Sequence, residues 1–347
     1  MAVSLRYNNP LTVVDLFCGA GIGAIGAVQA GLKTIYAVDN NPHAVATYNH
    51  NFDHQATCAN IEDISEFPYA DIVTGGFPCL DFSFAGSGDG AGGVHGSLSW
   101  HYVRAVASSK PKAFLLENVA GLVSKTHKSH YRALKTALSD IGYVLSEKLV
   151  DCSMYGLPQR RERIFVVGIR KDLDRSFIFP SYTGQKINIR RAVGDLPDPT
   201  AEIPDHMGVG IRKDEAPFIE HVPIGGNWKD LPITMQLAFM GKCYILGGGK
   251  TGYLRKIAFD GVANTITSTI SGKFNAQIVD NRDKYKDMTV PQACRRFTVR
   301  ECLRLQGVPD SFRFPKGVPT AKKYERCSGI PTPISKLFLS KLRDTLR

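Results

Sequence analysis

The stretch that decides the fold is residues 11–23, LTVVDLFCGAGIG. Its first seven residues form an apolar run typical of a buried strand, and the glycines that follow predict a tight turn into a helix of small residues over 24–30. Glycine at every second position allows a backbone to approach a bound ligand closely. The stretch therefore predicts a strand, a ligand-binding turn and a helix.

The same alternation of strand and helix continues to about residue 170. Strands are predicted at 33–38, 71–74, 113–116 and 163–169, and helices at 41–50, 100–108 and around 131–141. Such alternation indicates an α/β fold, with a mostly parallel, Rossmann-like sheet covered by helices on both faces.

Beyond the alternating region, the pattern changes twice. Proline, glycine and polar residues are frequent from about 172 to 294, where the strongest strand signals are at 253–259 and 262–270. A capping box at Thr298–Glu301 then predicts a new helix that ends near Gly307. We expect a large domain over 1–180, a smaller loop-rich domain over 181–294, and a segment over 295–347 that returns to the large domain.

The charge of the chain is unevenly distributed. The formal net charge is +11, yet residues 1–110 carry a net −5 and the remainder a net +16. A basic region beside a nearly neutral one suits a polyanionic partner such as nucleic acid, although the same excess also occurs as simple solubility charge.

Several protein classes are disfavoured by composition. No apolar run approaches the roughly 20 residues that span a bilayer, and the first residues lack the apolar region of a secretory signal. The eight cysteines include no CxxC pair, so a zinc site is not expected. We therefore expect no metal and no membrane partner, and a cytoplasmic protein that is associated with the nucleoid in a prokaryote.

Reactive side chains stand at the ends of the predicted strands. Cys79 lies in a Gly-Gly-Phe-Pro-Cys turn, Glu117-Asn118 follows the strand at 113–116, and Gln159–Arg163 precedes the last strand. Open parallel sheets gather their active sites at such boundaries. A thiol, a carboxylic acid and paired guanidinium groups suggest attack on an electron-poor ring.

The glycine turn alone leaves the cofactor open. Asp39, at the end of the second strand, is placed to accept hydrogen bonds from ribose hydroxyls, which also fits a dinucleotide dehydrogenase. The motifs that follow decide against a dehydrogenase, since hydride transfer has no evident use for Cys79 and the arginine pair.

In this order, the motifs closely resemble those of the DNA (cytosine-5)-methyltransferases of prokaryotic restriction–modification systems. The resemblance rests on 15–26, 75–86, 115–119, 155–163 and 296–309. It implies a class I methyltransferase sheet with a target-recognition domain, S-adenosylmethionine as cofactor, and methyl transfer to C5 of cytosine in duplex DNA. A monomer is implied, together with a cognate restriction endonuclease acting on the same site.

The resemblance also implies a role for each candidate residue. Cys79 would be the nucleophile, Glu117 the acid, and Arg161 and Arg163 the groups that hold the base. The cofactor-binding residues would be Phe17, Gly19, Gly21, Gly23, Asp39, Asp63, Pro78 and Leu98. The substrate-binding residues would be Ser83, Asn118, Gln159, Lys250, Arg255 and Lys273.

The chain departs from the family pattern at three points. Leu80 replaces a glutamine, His95 replaces an arginine, and the segment 328–331 (SGIP) lacks the asparagine usually found beside the cofactor. Two alternatives stay open at this point: a tRNA cytosine-5 methyltransferase of the same family, and a catalytically silent DNA-binding regulatory paralogue.

Overall fold

The computed structural model describes residues 9–78, 94–182, 184–244, 252–272, 276–282, 284 and 286–347, with 94–97, 290 and 291 described by their backbone only. These residues belong to two compact units. The first comprises Met1–Gly156, Arg161–Gly184 and Gly329–Arg347, and the second comprises Leu157–Arg160 and Gln185–Ser328.

The strands are β1 Thr12–Leu16, β2 Lys33–Asp39, β3 Thr57–Cys58, β4 Ile72–Gly75, β5 Ala113–Val119, β6 Tyr143–Asp151, β7 Glu162–Arg170, β8 Arg255–Lys256, β9 Gln277–Asp280 and β10 Cys294–Arg296. The helices are α1 Ile22–Gln29, α2 Pro42–Asn51, α3 Val94–Ser109, α4 Lys128–Asp140, α5 Ile189–Val193, α6 Ala216–Ile219, α7 Ile233–Met240, α8 Val290–Ala293, α9 Val299–Leu305, α10 Thr320–Arg326 and α11 Thr332–Leu346.

A seven-stranded sheet in the order β3-β2-β1-β4-β5-β7-β6 forms the centre of the first unit. Strands β1 to β5 pair in parallel, whereas β7 is antiparallel to both β5 and β6. The predicted α/β class with a mostly parallel sheet is confirmed. Because β7 runs backwards, its first residues lie at the carboxyl ends of the parallel strands.

Helix α1 begins at Ile22 and α3 at Val94, before the predicted positions 24 and 100, whereas α2 carries the expected signals at its start. Asn41 caps α2 by accepting a hydrogen bond from the Ala44 amide, and Pro42 occupies the first turn. Helix α11 packs on α1, where a Cβ at Gly26 would lie 2.6 Å from Ser335 Cβ. Only glycine permits this approach, which packs the last helix against the first unit.

The second unit contains the three-stranded sheet β10-β9-β8 and a separate apolar core around Trp228, Phe239 and Leu254. The capping box is present in α9: Thr298 Oγ1 accepts from the Glu301 amide, and Glu301 accepts from the Thr298 amide. Helix α10 packs on α9, and Tyr324 donates to the Phe297 carbonyl. These contacts extend the second unit to Ser328. The function assigned to each segment of the chain stays a prediction.

The strand predicted at 262–270 is wrong, and that at 253–259 is reduced to the two residues of β8. Side-chain amides take the place of a neighbouring strand in this region. Gln159 Oε1 accepts from the Ile266 amide, and Gln277 bonds both the amide and the carbonyl of Asn264. The backbone groups of Asn264 and Ile266 are therefore hydrogen-bonded to side chains and not to a neighbouring strand. No helix in the described part of the chain is long and apolar enough to cross a membrane.

Candidate active site

The end of β5 and the start of β7 bring one carboxylate and two guanidinium groups together. Antiparallel pairing sets Val119 opposite Arg163. Glu117 Oε1 lies 3.0 Å from Arg163 Nε and 3.7 Å from Arg161 Nη2. Glu117 is 9% exposed and Arg161 is 3% exposed. The two ion pairs are thus largely shielded from water, which strengthens their electrostatic interaction.

Arg161 is held from a second direction by the segment that departs from the family pattern. Its Nη2 donates to the carbonyl of Gly329 at 2.8 Å. The sequence identified 328–331 only by its missing asparagine, so this contact was not anticipated. A backbone carbonyl carries no side-chain signal, and only the return of the chain at Gly329 reveals it.

The loop that leads to the candidate nucleophile closes against Glu117. A Cβ at Gly76 would lie 3.0 Å from Glu117 Oε2 and 2.8 Å from the Glu117 carbonyl, so the loop and β5 are in close contact. The buried Asn118 side chain donates to the Phe77 carbonyl at 3.2 Å. Pro78 follows and is half-buried. Cys79 and Ser83 lie outside the described residues.

The glycine turn after β1 meets the carboxylate at the end of β2. Gly19 and Gly21 have φ values of 55° and 87°. Asp39 Oδ2 accepts from the Gly19 amide at 3.0 Å, and its Oδ1 accepts from the Asn41 amide at 2.9 Å. Each carboxylate oxygen keeps a lone pair for a further donor. A Cβ at Gly19 would meet no atom of the residues that the structure describes within 4 Å, so these residues leave the space beside the turn open.

The remaining cofactor candidates lie around this turn and the neighbouring strand ends. Phe17, with a φ of 53°, and Leu98 are half-buried and pack against the main core. Asp63 is exposed at the end of the short helix Ile61–Asp63. Gly23 faces Ile330, whose Cβ would lie 3.4 Å from a Cβ at Gly23. This set fits a nucleoside-bearing cofactor, since it combines an open glycine turn with a preset carboxylate and apolar surface.

A buried acid that the sequence did not single out lies behind the turn. The Asp15 side chain is buried within the sheet, and its Oδ1 accepts a hydrogen bond from the Thr74 hydroxyl at 2.8 Å. Burial raises the pKa of Asp15 to about 7, the Thr74 bond acts in the opposite direction, and the charge of Asp39 adds to the rise. A polar residue inside an apolar strand was the available signal.

The raised pKa of Asp15 predicts a specific pH dependence of stability. Between about pH 4 and pH 7 the native state binds more protons at this site than the unfolded state, so the free energy of unfolding falls as pH rises through that window. Asp15→Asn keeps an acceptor for Thr74 and removes the titration. We expect the wild type to lose about 2 kcal/mol more than the variant between pH 5 and pH 8. Urea denaturation at several pH values measures this difference, and parallel curves would contradict it.

The candidate substrate residues of the second unit have different surroundings. Gln159 is fully buried, and its amide bonds the Leu305 carbonyl and the Ile266 amide, so it braces the unit. Arg255 is half-buried at the start of β8, and burial lowers its pKa. Lys250 and Lys273 lie outside the described residues. Among the residues that are described, no group of three or more His, Cys, Asp or Glu side chains is placed to hold a metal ion.

Comparison with known proteins identifies the family of this chain. Residues 11–338 match the model of the C-5 cytosine-specific DNA methylases. The chain belongs to this family. This DNA methylase is 32% identical to a curated relative, the type II methyltransferase M.Eco47II of Escherichia coli. The aligned 337 residues cover 94% of this chain and 78% of the relative. It is also 32% identical to M.MthTI of Methanothermobacter thermautotrophicus, over 88% of each chain.

Solved structures show the same fold for this DNA methylase. The Entamoeba histolytica methyltransferase EhMeth aligns with a TM-score of 0.71 at 14% identity, covering 98% of this chain and all of that one. At such low identity the likeness concerns the fold. The class I methyltransferase architecture is therefore shown, and the roles of individual residues depend on the geometry described above.

Proposed function

We propose that this DNA methylase transfers a methyl group from S-adenosylmethionine to C5 of cytosine within a specific duplex DNA sequence, in a restriction–modification system. The target base is flipped out of the helix, and Cys79 adds to C6 of the ring. The observation that carries this proposal is the Glu117 carboxylate held between Arg161 and Arg163, beside the loop that leads into Cys79.

The ring of cytosine needs activation because its C5 is a poor nucleophile. Addition of the Cys79 thiolate at C6 makes C5 electron-rich, and the methyl group then joins C5. A base, which can be water, then takes the C5 proton as the bond between C6 and the Cys79 sulfur breaks, and the aromatic ring is restored. A free thiol is largely protonated at pH 7, so the guanidinium groups near this loop would favour its ionised form.

Glu117 and the two arginines provide the charge stabilisation that the addition requires. Glu117 would share a proton with ring N3, and Arg161, with Arg163 beside it, would hold O2 as negative charge develops there. The Gly329 carbonyl fixes the orientation of Arg161 before the base arrives. Preset donors cost no reorganisation during reaction, which is the main advantage of such a cluster.

The cofactor is proposed to occupy the glycine turn. Asp39 would accept from the ribose hydroxyls, Asp63 from the adenine amine, and Phe17 would pack on the adenine. S-adenosylmethionine, when bound, supplies a methyl group activated by its sulfonium charge. The turn residues Gly19, Gly21 and Gly23, with Pro78 and Leu98, complete the proposed pocket.

The second unit is proposed to read the DNA sequence. Flipping a base costs a few kcal/mol, and contacts to the duplex must supply that energy. Lys250, Arg255 and Lys273 are the proposed contacts, through phosphates for affinity and base edges for sequence choice. Ser83 and Asn118 would position the extruded nucleotide or the loop around it, and the buried Gln159 would act indirectly by holding Leu305 and Ile266 in place.

A methyl-transfer assay tests this function directly. The purified chain is given radiolabelled S-adenosylmethionine with duplex DNA or with tRNA, and bisulfite sequencing locates the modified base. We expect label in duplex DNA, at C5 of cytosine in one recurring sequence. Label in tRNA alone, or methylation at an exocyclic nitrogen, would refute the proposal.

A further inference from the structure

A basic cleft lies beside the candidate active site, between α4 and the edge strand β6. It has a volume of about 580 Å³. Its cations include Lys125, Lys128 and Arg132, all exposed. Lys135, Lys148 and Glu147 also line the cleft, and its apolar part is formed by Val123, Tyr131, Leu149 and Ile164. We call it the α4–β6 cleft.

The cations of the cleft arise from the pattern of α4. Tyr131 and Arg132 lie three and four residues after Lys128, and Lys135 lies four and three residues after them, so these side chains share one side of the helix. The Tyr131 ring is buried on that face, and Lys135 Nζ lies 4.8 Å from its centroid. The face therefore combines an apolar base with cations on flexible stems.

The single carboxylate that lines the cleft is already engaged. Glu147 accepts from Lys135 Nζ at 2.9 Å and also accepts a short hydrogen bond from the Tyr131 hydroxyl. Lys125, Lys128 and Arg132 have no acidic partner among the residues that the structure describes. Their charge is available to an anion from outside.

The position of the cleft indicates which anion. Ile164 lines the cleft on one face of the sheet, and the preceding Arg163 projects from the opposite face and contacts Glu117, so the cleft and the cluster share the same end of the strands. Strand β6 is two strand spacings, or about 10 Å, from β5. A duplex centred on the catalytic cluster would present flanking phosphates here.

Building on the proposed function, we infer that the α4–β6 cleft binds the sugar–phosphate backbone of DNA on one side of the target cytosine. Flexible lysines with few directional partners suit phosphates of any sequence rather than a base edge. The catalytic unit thus adds affinity that is independent of sequence, while recognition stays with the second unit.

The test compares two charge-matched triple variants in DNA binding. The cleft variant is Lys125→Gln, Lys128→Gln and Arg132→Gln. The control is Lys33→Gln, Lys110→Gln and Lys171→Gln, three exposed lysines beside the amino ends of β2 and β5 and the end of β7, at the opposite edge of the sheet. Fluorescence anisotropy measures the Kd for duplexes in which each flank is lengthened separately, at several salt concentrations.

For the cleft variant, we expect Kd to rise about 10-fold at low salt and the slope of log K against log salt to fall by about 2 to 3. The wild type should gain affinity when one of the two flanks is lengthened, and the cleft variant should lose that gain. The control should keep both properties. Thermal melting confirms that all three proteins are folded.

Two outcomes would overturn the inference while leaving the proposed function intact. In one, the wild type methylates DNA normally and the cleft variant matches it in Kd, salt slope and flank dependence. In the other, the cleft residues strengthen binding of tRNA and not of duplex DNA. A wild type that binds no duplex would instead remove the proposed function and this inference together.

Discussion

Replacement of Cys79 by alanine is expected to abolish methyl transfer, with a fall in the single-turnover rate on the order of 10³ or more, while duplex DNA still binds. The covalent route through C6 has no substitute nucleophile, since the other cysteines are not in the Pro-Cys motif. Rapid-quench transfer from labelled S-adenosylmethionine measures the rate, and a gel-shift assay measures binding. Cys243→Ala, which alters an exposed cysteine of the second unit, is the control and should remain active.

The same prediction has a direct chemical readout. In DNA that carries 5-fluorocytosine at the target, fluorine cannot leave as a proton does, so the Cys79 adduct should persist through denaturing electrophoresis. The Cys79→Ala protein should give no such species. If the wild type methylates ordinary DNA but forms no trapped complex, addition and elimination through Cys79 is not the mechanism.

Glu117→Gln should lower the rate of methyl transfer by about 10² to 10⁴-fold, because the amide keeps the shape of the side chain but cannot exchange a proton with ring N3. Arg161 and Arg163 lose a charged partner, although Arg161 keeps the Gly329 carbonyl. Some loss of stability is therefore expected alongside the loss of activity. Single-turnover kinetics at saturating cofactor separates the chemical step from binding.

The neighbouring Glu162→Gln is a matched control for this experiment. Glu162 stands between the two arginines in the chain, but its side chain is exposed. The same change of chemistry at this position should leave methyl transfer nearly unchanged. If both variants lose activity equally, the effect comes from the charge of β7 and not from a proton at Glu117.

The fold was largely predictable where residues obey one clear period. Strands β1, β2, β4 and β5 are short apolar runs closed by turn residues, and α2 carries its own cap at Asn41. Strand β6 was missed because Glu147 and Lys148 interrupt its pattern, as the exposed edge of a sheet allows. The strand predicted at 262–270 failed because its partners are the amides of Gln159 and Gln277, which no local pattern reveals.

The sequence indicated which residues form the candidate site, but not how they are arranged in space. The motif order identified Glu117, Arg161 and Arg163, and the structure places them in contact. The sequence did not reveal that β7 is antiparallel to β5. This reversal brings Glu117 and Arg163, which are 46 positions apart in the chain, into an ion pair. The anchoring of Arg161 by Gly329 spans 168 positions and involves a backbone atom.

Arg161 depends for its orientation on Gly329, which is synthesised 168 residues later. Thr332 and Ser335 tie the start of α11 to the carbonyls of Ile22 and Gly23, so the segment that holds the guanidinium also braces the glycine turn. A nascent polypeptide still lacking residues 329–346 has neither support. Arg161 therefore reaches this arrangement only after residues 329–346 have been synthesised and have folded onto α1.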